Sequence, residues 1–267
     1  MNFWEYLTMS PLPSDGISVL SQDIIERLSA KSLRLPASPE VVLKINALMN
    51  DDTKGLVDIS AAIESHQTLA ARLLQVVNSP ALKPIKPITS LYTALSILGI
   101  VLVKNLAISI AIRDMFRSKN FDLKVLLEET WHHSVEVGAL SHLLTAHLED
   151  RRYDPNVAMI IGILHSIGCL PIIDYFEQTS TPIVEYAKVS EEIASLISVS
   201  LMKEWGLPSS FAEAINGDPG MYGEILKYIH CYLDKTECAN ILVPFDEFDK
   251  IVKSNKDRFS NLVSIYK

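Results

Sequence analysis

Apolar residues recur at three- and four-residue spacing along nearly the whole chain, which is the signature of helices packed against a core. Ile17, Leu20, Ile24, Ile25 and Leu28 form a first stripe, and Val41, Val42, Ile45, Leu48 and Met49 form a second. Ser38 is placed to cap the second helix and Pro39 suits its first turn. Helices are predicted over 56–65 and 69–77, the latter ended by Asn78-Ser79-Pro80. Prolines 84 and 87 mark a loop. Leu91, Ala94, Leu95 and Leu98 make a short helix stopped by Gly99, and another runs over 101–115. The charged stretch from Arg117 to Asp122 is the expected seam between two lobes. A long helix follows over 123–147, and Asp154-Pro155 opens one that ends near Gly168. Further helices fit 182–188, 191–205, 209–215 and 222–233, with a last helix capped by Asp246. No run alternates with period two between hairpin turns, so strands have no support.

The pattern predicts an all-α protein, built as a two-lobed helical bundle. Composition agrees: 48% of the 267 residues are hydrophobic and only 10 are glycine, which suits a large helical core. The formal net charge of −8 argues against nucleic acid and against an anionic membrane surface, since both recruit Lys and Arg. Cys169, Cys231 and Cys238 include no CxxC pair, and this usage points to a cytoplasmic protein. The apolar stretch 91–112 contains Gly99, Lys104 and Asn105, so it is read as buried rather than membrane-spanning. There is no Gly-rich phosphate loop and no nucleophile elbow.

Six segments then occur in a telling order. They are LPASPEVVLKINALMND at 35–51, IESHQTLAARLLQVVNSP at 63–80, ITSLYTALSILGIVLVKNLAIS at 88–109, W-x-H-S at 131–134, GILHSIG at 162–168 and WGLP at 205–208. Together they resemble the HDOD family. The motif positions are Asn78, Ser79, Gly99, Trp131, Gly168, Trp205 and Pro208. Each also has a plain structural role. Asn78 reads as a helix C-cap in left-handed conformation, Gly99 as a helix stop, and Trp131 and Trp205 as core aromatics. The resemblance implies an N-terminal helical extension over 1–32, an HDOD domain over 33–234 with lobes at 33–120 and 121–234, and a C-terminal helix over 235–267. The second lobe is then HD-domain-like.

The HD superfamily, which the second lobe resembles, binds metal through a His, a His-Asp doublet and a later Asp. His133 and His165 match the first two histidines, but Ser166 stands where the doublet's aspartate belongs. The additional histidines of two-metal members fall near Ala194 and at Asp218-Pro219, and the candidate for the final aspartate is Asp234. A neutral hydroxyl is a poor ligand for a divalent cation and cannot replace the carboxylate's charge. His133, His165, Ser166 and Asp234 are therefore read as vestigial positions, with no catalytic residue, no cofactor and no functional metal. His133 and His165 read as hydrogen-bonded core histidines, against a weak residual metal site or another polar pocket. His132, His142 and His147 lack i, i+4 ligand spacing and are expected on the surface.

The resemblance implies a non-catalytic regulatory module in bacterial signal transduction. It would act by protein–protein interaction, in the cleft between lobes or on an apolar face, with a partner in nucleotide-messenger signalling. The rival readings are a metal-dependent phosphohydrolase and a non-hydrolytic nucleotide sensor using Arg72, Lys104 and Arg113.

Overall fold

The computed structural model describes residues 19–266 except 31, 34–39, 50, 52, 79–83, 116, 190, 218–219 and 239–241. Among the described residues it is helical throughout, with no strand. The helices are α1 (Val19–Ser29), α2 (Glu40–Met49), α3 (Leu56–Glu64), α4 (Gln67–Val77), α5 (Leu91–Leu98), α6 (Ile100–Arg113), α7 (Phe121–Leu148), α8 (Pro155–Leu164), α9 (Cys169–Thr179), α10 (Glu191–Glu204), α11 (Ser209–Asn216), α12 (Met221–Asp234), α13 (Phe245–Ser254) and α14 (Lys256–Tyr266). A 3-10 helix, Ile183–Lys188, joins α9 to α10.

The predicted breaks fall where local chemistry requires them. Gly99, at φ 85°, ends α5 and starts α6, a conformation that a β-carbon would strain. Asn120 caps α7 by accepting from the amides of Asp122 and Leu123. Asp154 caps α8, with Pro155 in its first turn. Asn78 does end α4, but at φ −94° it is not left-handed. Its amide nitrogen donates to the carbonyls of Leu74 and Ile88, and its oxygen accepts from the Ile88 amide, each at 2.7 Å. It therefore pins the start of the next segment as well as capping its own helix. Ser38, Pro39 and Ser79 lie outside the described residues.

Two elements differ from expectation. The periodicity left 169–181 without a helix, yet α9 forms there, because Pro171 sits in the first turn where no amide is needed. The final helix is two helices, α13 and α14, broken at Asn255. Asp246 lies in the first turn of α13, and the N-cap is Pro244. Leu73 and Val77 are fully buried on α4, whereas Leu74 packs at the core's edge.

One continuous apolar cluster runs from Ile24 on α1 to Ala214 on α11, so the two expected lobes share a core. A second cluster, with Val137, Leu140 and Leu144 of α7, gathers α12 and Phe248 of α13. Helix α7, about 42 Å long at 1.5 Å per residue, belongs to both. Its closest partner is α8. A β-carbon on Gly162 would lie 2.6 Å from the Gly138 α-carbon, so the two backbones nearly touch there. The N-terminal α1 is docked on α9, where Asp23 accepts from Tyr175 at 2.6 Å and from Arg27 at 2.9 Å. The stretch 91–112 is α5 and α6 and contributes to the core. By length and composition alone Pro155–Thr179 could cross a membrane, but 83% of its most apolar window is buried in the protein.

Candidate functional site

The close approach of α7 and α8 places His133 beside His165, five residues from Gly138 and three from Gly162. His230 on α12 completes a cluster. Ring centroids are 5.3 Å apart for His133 and His165, 5.6 Å for His133 and His230, and 5.0 Å for His165 and His230. One ring nitrogen from each lies within 4.8 Å of the other two. All three residues are partly buried. His165 sits in the turn after α8, and its Nδ1 contacts the Gly162 carbonyl. A carbonyl only accepts, so Nδ1 carries the proton and Nε2 presents a lone pair.

Burial holds all three rings in the neutral form. His133 is pulled down to about 3, by burial and then by His230. His165 lies well below the usual histidine value, for the same reason, with His230 and His133 adding to it. His230 is lowered by burial and raised slightly by Asp234. The result is three uncharged imidazoles facing one another.

The carboxylate positions are different. Ser166 is buried and hydrogen-bonded to Ser134, whose hydroxyl donates to the Thr130 carbonyl at 2.7 Å. Since a hydroxyl carries one proton, Ser166 is the donor to Ser134. Asp234, the sequence candidate for the third ligand, is the exposed last residue of α12. The side chain that joins the cluster is His230, one turn earlier. It was legible in principle: it lies four residues after buried Leu226, on the inward face, and is the one histidine on that helix. The family pattern asks for a carboxylate on this helix and so does not mark it. His142, expected on the surface, is 6% exposed, because α7 is covered on that side too; His132 and His147 are exposed.

Helix α10 braces the His165 turn. The Gly168 amide donates to Ser198 Oγ at 2.8 Å, and the Ser198 hydroxyl lies 2.9 Å from the carbonyls of His165 and Ala194. A β-carbon on Gly168 would fall 1.9 Å from the Ala194 oxygen. Gly168→Ala must therefore push α10 away from the turn. We expect it to cost about 1–3 kcal/mol, as overpacking does, read as a lower urea midpoint. An unchanged midpoint would show that α10 does not press on this turn. Ala194 itself supplies only backbone, and Asp218-Pro219 lie outside the described residues. Trp131 and Trp205 are core residues, and Pro208 starts α11.

Arg72 and Arg113 lie close enough to feel one another's charge, while Lys104 stands apart on α6. Arg72 pairs with Asp114, which also holds Arg117. Arg113 stacks over Trp131 at 5.6 Å, and burial pulls its guanidinium down. Lys104, also lowered by burial, is nine residues before Arg113 on α6, about 13 Å along the axis.

The metal chemistry implied by the HD resemblance needs carboxylates to offset the ion's charge and to orient water. The residues present do not fit that requirement: the three converging donors are neutral, Ser166 is turned to Ser134, and Asp234 is exposed.

Three solved structures share this fold. A provisionally named metal-dependent phosphohydrolase from Shewanella amazonensis SB2B is 18% identical, with a TM-score of 0.74, covering 93% of this chain and 98% of its own. A provisionally named signal transduction protein from Marinobacter aquaeolei VT8 is 20% identical, with a TM-score of 0.67, covering 92% of this chain and 65% of its own. An HDOD domain protein of unknown function from Geobacter sulfurreducens is 18% identical, with a TM-score of 0.65, covering 92% and 97%. No curated protein matches the sequence significantly. The HDOD domain profile matches residues 35–219, more than half of the sequence, and the chain belongs to the HDOD family.

Proposed function

We propose that this chain is a non-catalytic HDOD module that regulates bacterial signal transduction by binding another protein in the cytoplasm. The observation that carries this reading is that, among the described residues, the converging cluster is made of histidines. Ser166 occupies the doublet position and is bonded to Ser134. Without an acidic ligand a hard divalent ion has no anchor, and imidazoles held neutral by burial are weak bases toward an attacking water. The description of the Marinobacter relative as a signal transduction protein is consistent with this role. Cys169, Cys231 and Cys238 form no disulfide, which suits a reducing compartment. A partner from nucleotide-messenger signalling fits the family, and the net charge of −8 disfavours nucleic acid as the target.

The rival reading is hydrolysis, since the Shewanella relative is described as a phosphohydrolase. The purified protein is expected to show no turnover of phosphomonoesters, phosphodiesters or cyclic dinucleotides with Mg²⁺, Mn²⁺ or Zn²⁺. Metal-dependent turnover that disappears in His165→Ala would overturn the regulatory reading.

A further inference from the structure

We propose that His133, His165 and His230 hold one divalent transition ion of the zinc class, and that this ion ties α12 to the turn between α8 and α9. The ligand set differs in kind from the carboxylate-containing set that the resemblance led us to expect, so a different class of ion follows from it. Neutral imidazole nitrogens suit Zn²⁺, Cu²⁺ and Ni²⁺, whereas Mg²⁺ and Mn²⁺ favour carboxylate and water oxygens.

The geometry is near what such an ion needs. Tetrahedral coordination at 2.0–2.1 Å puts ligand nitrogens about 3.3 Å apart. The three nitrogens here lie within 4.8 Å of one another, a spacing that side-chain rotation can shorten toward that of one shared ion. His165 is already oriented: its Nδ1–H is held by the Gly162 carbonyl, as metal-bound histidines are commonly held, which leaves Nε2 for the ion. Three neutral donors leave a fourth position for water or for a side chain from a partner.

The consequence is mechanical. His165 belongs to the turn leaving α8, which is in the main core, while α12 packs mainly in the second cluster with α7 and α13 and meets the main core through Tyr222. His133 stands on α7, which both clusters share. One ion would therefore link the two clusters through α12. This inference does not depend on whether the module is catalytic.

The test uses tag-free full-length protein, stripped with chelator and titrated calorimetrically with Zn²⁺, Ni²⁺, Mn²⁺ and Mg²⁺. We expect one Zn²⁺ per chain, bound at least ~10²-fold more tightly than Mn²⁺ or Mg²⁺. Co²⁺ should give the visible d–d absorption of a low-coordinate nitrogen site. Hydrogen exchange across α12 should slow when Zn²⁺ is added. His230→Gln should abolish tight binding and the protection of α12, while His132→Gln, an exposed neighbour, should change neither. Wild-type protein that binds Zn²⁺ no better than His230→Gln does would overturn the site. Equal or tighter binding of Mn²⁺ would overturn the assignment of ion class. Zn²⁺ binding without slower exchange in α12 would overturn the mechanical link. Turnover by the Zn²⁺-loaded protein would instead count against the regulatory reading and leave the metal assignment standing.

Discussion

Ser166→Asp, which restores the His-Asp doublet in sequence, is expected to lower stability by several kcal/mol and to yield no hydrolase. Ser166 is buried and bonded to a buried partner, Ser134, whose single proton goes to Thr130. An aspartate placed there would lose its hydration and find at most one weak donor. Breaking or omitting the partner of a buried charge typically costs about 3–5 kcal/mol. The longer side chain must also fit where α7 and α8 pack most closely. Nor would the carboxylate complete a hydrolytic set, because Asp234 is exposed and α12 offers His230 instead. Chemical unfolding in chelator should show a midpoint well below wild type, and phosphodiester assays with Mn²⁺ should stay at background. Wild-type stability together with Mn²⁺-dependent turnover would show a site one residue from activity, and the regulatory reading would fall.

How much of this was legible in the sequence depends on the kind of signal. Helix existence was, because apolar spacing and caps such as Asp154 act locally. Helix α9 was not, because its opening Cys-Leu-Pro-Ile-Ile is a continuous apolar run with no polar face, and Pro171 reads as a breaker when it is in fact in the first turn. The break at Asn255 was hidden because apolar positions in α13 and α14 continue a similar phase across it. At the site, His133 and His165 were legible because a family pattern marks them. His230 was not, because that pattern asks for an acid on this helix, and sequence distance hides that α12 returns to α7 and α8. The contact between α7 and α8 at Gly138 and Gly162 is likewise invisible without the fold, since neither glycine bends the chain. The burial of His142 followed from the same cause: α7 is enclosed on more sides than a single amphipathic stripe suggests.

The metal-free protein is expected to lose stability steeply between about pH 6.5 and pH 4.5, well above the range in which carboxylates titrate. His133 is pulled down to about 3 in the folded state, and His165 and His230 are lowered too, by burial first and by one another's charge second. In the unfolded chain each returns to about 6.5. Above that value both states are neutral and the histidines contribute no pH dependence. As pH falls below it, the unfolded state takes up protons that the folded state refuses, so acid favours unfolding. The loss continues until pH reaches the folded values. A single histidine of this kind contributes at most about 1.4 kcal/mol per pH unit. His165 and His230 add to it in the same direction, against a typical total stability of about 5–15 kcal/mol. The lowered carboxylate of Asp23, held by Tyr175 and Arg27, adds its loss only at lower pH and is nearly exposed. Urea unfolding in chelator at pH 7.5, 6.5, 5.5 and 4.5 gives the slope, and with it the number of protons taken up. His133→Gln should flatten that slope by close to one proton. A stability that stays level down to pH 5 would mean that the folded cluster accepts protons freely, and that the three imidazoles are better hydrated than their packing implies.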